Sequence, residues 1–311
     1  MSEVSKIALI GDVHLFDLAV HPRRLISRRA MAHANLLMNR QHRFNHGLLP
    51  HLVDRVKAIK PDLALFSGDV STSSLEREFE DLIAVFRPLV DEVPCVLVPG
   101  NHDRYTFKSR RVKRIETLLH EVMPDAFPHV RQLAPGWSLL ALDSAIPNRL
   151  FSRGALGADQ LKKALAHIAA VPEDQALLVL CHYPCTLPPR VPHAWSHDLK
   201  EAEPLKQALM ACRGRVVYLH GHIHKPWHAL ADAGEKPAFE CINAGSPCMT
   251  SPAWPLGQGF WELDLPTDPR GALVASHHAL SEESDSGGSP VEEGMPGGTP
   301  RTPVWKIRQD L

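Results

Sequence analysis

Short apolar runs recur along the chain, and each stops at a polar cluster. KIALI runs into GDVH, DLALF into SGDV, VPCVLV into PGNHD, ALLVL into CHYP, and RVVYL into HGHIH. Brief runs rich in Val, Ile and Leu and bounded by Gly, Pro or Asp predict buried strands, so the polar residues fall at strand ends. Between the runs the period changes. Across 74–92, Leu75, Phe79, Leu82 and Phe86 recur at helical spacing around Glu76, Arg77, Glu80 and Asp81, which predicts an amphipathic helix. Two more helices are predicted at ADQLKKALAHIAA and EAEPLKQALMACR, each ahead of a strand. Alternating strand and helix predicts an α/β fold, and open α/β sheets take ligands beyond the carboxyl ends of their strands. FECINAG, FWELDL and ALVASHHAL follow with little helix between them and predict a second, more antiparallel sheet.

Composition narrows the class. With 44% hydrophobic and 22% charged residues among 311, the chain is neither disordered nor fibrous. Thirty-four Lys and Arg against 35 Asp and Glu leave a net charge of -1, so no global field attracts nucleic acid or membrane. The six cysteines form no C-x-x-C pair, and reduced, mostly buried thiols are expected. MSEVSKIALIGD reaches Gly and Asp too soon for a signal peptide. No run approaches the ~18 apolar residues of a membrane span, which makes the cytoplasm the expected location. SEESDSGGSPVEEGMPGGTP over 281–300 has no basic residue and little to bury, so a disordered tail is expected over 281–311 behind one domain at 1–280.

The polar clusters hold the candidate chemistry. Asp12 and His14 stand two apart after the first run, Asp69 follows Gly68, and Asn101 and His102 follow Gly100. His182 ends a further run, and His220, His222 and His224 alternate after the next. Asp12 with His14, Asp69 and His182, each taken alone, read as turn or surface residues and an ordinary structural histidine, whereas GNHD and the three alternating histidines are more specific. Together they make a mixed nitrogen and oxygen ligand set suited to Mn, Fe or Zn and unsuited to a thiolate site.

In order, GD-x-H, GD, GNHD, a lone His and GH-x-H resemble the calcineurin-like metallophosphoesterase family over about residues 6–250. The resemblance implies a four-layer αββα sandwich of two mixed β-sheets flanked by helices, with two divalent metal ions at the strand ends. Carried over residue by residue, Asp12, His14 and His224 bind the first ion, Asn101, His182 and His222 the second, and Asp69 bridges them. His102 is then the catalytic histidine, donating to the leaving oxygen or to a phosphoryl oxygen, while a metal-bridging hydroxide attacks phosphorus. His220 lies outside the pattern, with a place behind the ligands or a purely structural one. The family often writes its second block GD-x-x-D, whereas Asp69 is followed by Val70, Ser71 and Thr72. An acid that orients neighbouring ligands must therefore come from elsewhere, and Asp103 is the candidate.

Substrate is read from two further stretches. Residues 18–53 contain no acid but carry Arg23, Arg24, Arg28, Arg29, Arg40 and Arg43 among apolar residues. This insert reads either as a solvated basic helix over the domain, or as a lid or membrane-surface helix that recognises anionic phosphate or lipid. Ser144, Asn148, Arg149 and Arg153, after WSLLALD, are candidate substrate contacts or loop structure. The whole pattern resembles a bacterial branch assigned to cyclic nucleotide phosphodiesterases, and also the UDP-2,3-diacylglucosamine pyrophosphatases of lipid A synthesis. The leading expectation is hydrolysis of a small nucleotide-type substrate such as a cyclic nucleotide. The alternative is the pyrophosphatase, with the insert in peripheral contact with lipid at the inner membrane surface. Against a DNA nuclease stands the balanced charge outside the insert, and against a non-catalytic protein-binding scaffold stands the intact ligand set.

Overall fold

The computed structural model describes residues 4–16, 44–147, 152–188, 191, 195–232, 237–249 and 256–280. Most of the basic insert, Asn148, Arg149 and the 281–311 tail lie outside the described residues.

Side-chain alternation along the strands sorts the core into layers. In β1 (Lys6–Ile10), Ile7 and Leu9 join one buried cluster, and Ala8 and Ile10 join another. The cluster shared by Ile7 and Leu9 also takes Leu63 and Leu65 of β2 (Leu63–Phe66), Leu178 and Leu180 of β6 (Ala176–Cys181), and Val217 and Leu219 of β7 (Arg215–His220). It is the seam between two sheets. Ala8 and Ile10 instead meet α1 (Leu49–Ala58) and α2 (Glu76–Val90) through Leu52, Val56, Phe79, Leu82 and Phe86. On the far side, Leu177 and Val179 meet α5 (Ala158–Ala170) and α6 (Ala202–Ala211) through Ala164, Ile168, Leu205 and Leu209. Helices, sheet, sheet and helices make the expected four layers. Two short helices, α3 (Phe107–Arg111) and α4 (Arg114–Leu118), follow β3 (Cys95–Leu97).

The first sheet runs β11-β10-β1-β2-β3, with β1, β2 and β3 parallel. The second runs β4-β5-β6-β7-β9-β8, with β5, β6, β7 and β9 parallel. Its remaining members are β4 (His129–Gln132), β5 (Trp137–Leu142), β8 (Trp227–Asp232) and β9 (Pro237–Asn243). One expectation is corrected here, because the late runs form no sheet of their own. FECINAG supplies β9, which docks parallel to β7, whereas β10 (Gly259–Asp264) and β11 (Val274–Ala279) extend the first sheet antiparallel from β1. The late strands fill open edges of the two parallel cores: β9 takes the edge of β7 and β10 that of β1, with β11 pairing to β10 in turn. The end of the insert is also part of the body: residues 44–53 enter α1, and Leu48, Leu49, Leu52 and Val53 are buried.

No helix among the described residues is long and apolar enough to cross a membrane. All six cysteines are free thiols, and burial alone pushes Cys95 and Cys241 up to about 12.

Candidate metal centre

Five strand ends converge. β1 stops where Gly11 passes so close to Gly245 that a β-carbon would stand 1.9 Å from its carbonyl oxygen. Asp12 N–H then donates to that same carbonyl at 3.0 Å. His14 N–H donates to the Asp69 carbonyl at 2.9 Å, which joins the loops after β1 and β2. Gly100 packs against Asp69, leaving no room for a side chain, since a β-carbon would lie 2.2 Å from Asp69 Oδ1. The neighbouring His102 N–H donates to Asp69 Oδ1 at 2.7 Å. From the second sheet come His182 after β6 and the GH-x-H loop after β7.

Two groups of donor atoms form around one carboxylate. His14, Asp69 and His224 place ligand atoms within 4.8 Å of one another, and so do Asp69, His182 and His222. His14 Nε2 and His224 Nε2 stand 2.9 Å apart, with Asp69 Oδ2 3.6 Å from His14 Nε2. His182 Nε2 lies 3.4 Å from Asp69 Oδ2 and 3.2 Å from Asn101 Oδ1. Asp12 reaches both groups, at 3.7 Å from His182 Nδ1 and 3.9 Å from His224 Nε2. All seven positions proposed for ligation are therefore brought together.

The donors fit cations. His182 Nδ1 lies 2.8 Å from the Ser67 carbonyl, which can only accept, so Nδ1 carries a hydrogen. The lone pair of Nε2 then faces two oxygens with no donor between them unless a cation or an added proton fills the gap. Among the described residues, both Asp12 carboxylate oxygens are buried without a hydrogen bond, a costly state that a positive ion relieves. Electrostatics agree. Burial pushes Asp12 well above the usual carboxylate range. Burial also opposes ionising Asp69, yet the imidazoles of His182, His102 and His14 hold it well below that range. His182 answers in kind: burial would lower it, but Asp69 and Asp12 raise it to about 9.

The other expected residues sit around this core. His102 Nδ1 is 2.6 Å from the Thr72 carbonyl, and its ring stacks on Tyr105 at 5.5 Å between centroids. Asp103 accepts from Ser71 N–H at 2.8 Å, Ser71 Oγ at 2.9 Å and Gly100 N–H at 2.9 Å, so it ties the Asp69 loop to the Asn101 loop through the backbone. Burial and the Asp69 charge raise Asp103 to about 7. His220 is buried, with Nδ1 2.9 Å from the Gly221 carbonyl and burial pushing it down to about 3. Arg153 is half-buried beside Gly154, which packs on the Tyr183 ring, and that ring lies 4.3 Å from His222. Ser144 is a correction: it is fully buried beside Cys181, where no substrate reaches it.

Several neighbours escaped the sequence reading. Thr72 and Ser74 hold His102, and Met249 Sδ stands 3.1 Å from His224 Nδ1. His197 brings a further ring within 5.9 Å of His222. No local pattern marks them, because each meets the site only through long-range folding.

The fold and this centre define a class, and comparison with known proteins agrees. The Metallophos profile, calcineurin-like phosphoesterase, matches residues 5–226. The chain belongs to the calcineurin-like phosphoesterase family. It is similar to a 3',5'-cyclic adenosine monophosphate phosphodiesterase of Vibrio vulnificus, 27% identical over 186 residues that span 58% of this chain and 61% of that protein. Among solved structures, a dimetal phosphatase from Danio rerio superposes with a TM-score of 0.59 at 16% identity, covering 89% of this chain and 96% of that one. A purple acid phosphatase from yellow lupin (Lupinus luteus) seeds gives 0.60 at 13% identity, over 90% of this chain and 52% of that one. These two share the fold.

Proposed function

We propose that this chain hydrolyses a phosphodiester bond in a small nucleotide-type substrate, a cyclic nucleotide, with two divalent cations. Asp12, His14 and His224 would hold one, Asn101, His182 and His222 the other, with Asp69 between them. The observation that carries this reading is the single Asp69 carboxylate reaching both imidazole groups. When bound, such cations polarise phosphoryl oxygens and make water nucleophilic near neutral pH.

The chain's own residues supply orientation and a proton. The Thr72 carbonyl accepts from His102 Nδ1, so the ring keeps its direction while Nε2 gains or loses hydrogen. A proton on Nε2 suits donation to the leaving oxygen, a step worth ~10²- to 10⁴-fold in rate. Because His102 N–H is bonded to Asp69 Oδ1, the proton donor and the shared carboxylate are held by adjoining backbone. The cyclic nucleotide is supported by the activity named for the Vibrio vulnificus relative.

The test pairs metal content with turnover. Manganese-loaded protein should carry two ions per chain by atomic emission and should hydrolyse cyclic AMP. Asp69→Asn should lose bound metal and fall more than about a hundredfold in kcat/KM, since even residues behind the ligands cost 10–100-fold. Full activity in Asp69→Asn would overturn the shared-carboxylate reading. Turnover of UDP-2,3-diacylglucosamine without cyclic AMP would replace the phosphodiesterase by the pyrophosphatase.

A further inference from the structure

We propose that Arg104 is a positioning residue: by gripping the end of β5 in the second sheet, it sets the loop that carries Asn101 and His102 against the half of the centre built by His182 and His222. The proposal rests on the phosphodiesterase reading of that centre and adds what keeps its proton donor in place across the two sheets.

The loop needs such a hold. β3 has three residues and lies at the edge of the first sheet, so residues 100–104 leave a short strand whose neighbour is β2. Asp103 fixes them to Gly100 and to Ser71, which follows β2, and His102 N–H bonds Asp69. These bonds all stay on the side of the first sheet. His182 and His222 come from the second, and a proton donor has to be placed against both.

Arg104 crosses the gap. It is buried, and its Nη1 donates to Asp143 Oδ2 and, at 3.2 Å, to the Ala145 carbonyl. Asp143 directly follows β5, whose Leu142 pairs with Cys181 of β6. Asp143 and His182 therefore leave neighbouring strands at the same level, one as an anchor and the other as a candidate ligand. The anchor is itself held. Asp143 Oδ1 accepts from Ala145 N–H at 3.0 Å, Asp143 N–H donates to Gln160 Oε1 at 2.8 Å, and Gln160 Nε2 donates back to the Asp143 carbonyl at 2.7 Å.

The other arm of the guanidinium, Nη2, donates to Glu116 of α4 at 2.8 Å. Two residues earlier on that helix, Arg114 Nη1 donates to the Ser74 carbonyl at 2.7 Å, and Ser74 Oγ donates to the His102 carbonyl at 2.9 Å. The planar fork thus reaches acids on two separate elements, a geometry that the single ammonium of lysine does not reproduce. Burial pushes Asp143 above the usual carboxylate range, and Arg104 opposes that push. An apolar side chain would fill this place without the desolvation cost of a buried cation, and what the guanidinium adds is direction.

The test compares two substrates on the full manganese-loaded chain. Cyclic AMP expels an alkoxide, which needs a proton, whereas bis(p-nitrophenyl) phosphate expels a phenolate that leaves without one. Arg104→Lys keeps the charge and gives up the fork. It should lower kcat for cyclic AMP about 10- to 100-fold with KM within about twofold, and kcat for the nitrophenyl ester by less than about threefold. Amide hydrogen exchange over residues 100–105 should quicken about tenfold in the same variant. Asp143→Asn loosens the tie from the other sheet and should repeat this selectivity at smaller amplitude, so it carries the test if Arg104→Lys does not fold. Arg215→Lys, which disturbs a partly buried pair with Glu240, should change neither kcat nor exchange over 100–105. Equal losses on both substrates, or a lower Tm with kcat unchanged on both, overturn the positioning role. A wild type that cleaves the nitrophenyl ester but not cyclic AMP overturns the cyclic-nucleotide reading instead. Exchange over 100–105 in Arg104→Lys then decides the tie by itself, upheld by faster exchange and overturned by unaltered exchange.

Discussion

Four of the seven candidate ligands have left-handed backbone: His14 at φ 52°, Asp69 at 50°, His222 at 72° and His224 at 61°. A non-glycine residue held there costs about 1–3 kcal/mol, and such residues gather at functional sites. Here the loops hold one another in place, as His14 N–H does by bonding the Asp69 carbonyl. Glycine is needed where backbone must pass against a ligand. Gly100→Ala would place its methyl 2.2 Å from Asp69 Oδ1 and 2.3 Å from Asp69 N. The expected outcome is a more than tenfold loss of metal affinity with an unchanged far-ultraviolet circular dichroism spectrum. Undiminished metal affinity would show that Asp69 moves aside freely.

At the scale of elements, the start of α2 serves the centre it never touches. Glu78 is buried and accepts from Leu75 N–H at 2.9 Å, Ser73 N–H at 3.0 Å and Ser73 Oγ at 2.9 Å. It thus caps the helix and fixes the 72–74 loop that bonds His102 on two sides, through Thr72 O and Ser74 Oγ. Glu78→Ala strands those donors, and about 1–3 kcal/mol of stability should go with it. Thermal unfolding reads that loss. A fall in kcat with metal content intact reads the displaced His102, and unchanged kcat would separate the cap from the chemistry. A second element-level group sets acid tolerance. Burial would raise Glu240 of β9, but His228 of β8 and Arg215 of β7 outweigh it and hold the carboxyl below its ordinary 4.5. A depressed carboxyl stabilises the fold above the unfolded pKa and ceases to do so as pH falls through the folded one. Denaturant midpoints should therefore drop more steeply below about pH 4.5 in wild type than in Glu240→Gln.

For the whole molecule, the centre lies across the boundary between the layers. Asp12, His14, Asp69 and Asn101 follow strands of the first sheet, and His182, His222 and His224 follow strands of the second. A cation held there would join the two sheets and relieve the buried Asp12 carboxylate, and would therefore bind the folded chain far better than the unfolded one. Chelation should lower Tm, and manganese should restore it. At a hundred times Kd the linkage is worth about 2.7 kcal/mol. A Tm indifferent to both treatments would remove the cation from between the sheets.

Local pattern alone determined where many elements lie and what chemistry sits at their ends. KIALI is β1 and ADQLKKALAHIAA is α5, residue for residue, because periodicity is a property of neighbouring side chains. The resemblance carried by the polar blocks implied the fold class, and the residues it named for ligation lie together at the strand ends. The short strand β8 and the helix α1 were missed, since β8 follows Pro226 without a clear apolar run and α1 was hidden inside a basic stretch. Only tertiary structure decided that β9 pairs with β7 while β10 pairs with β1, and that the stretch after Trp195 is fastened to Gly154. These depend on contacts between residues tens to hundreds of positions apart. Their free energy resides in pairing, packing and charge across layers, which adjacent residues do not encode.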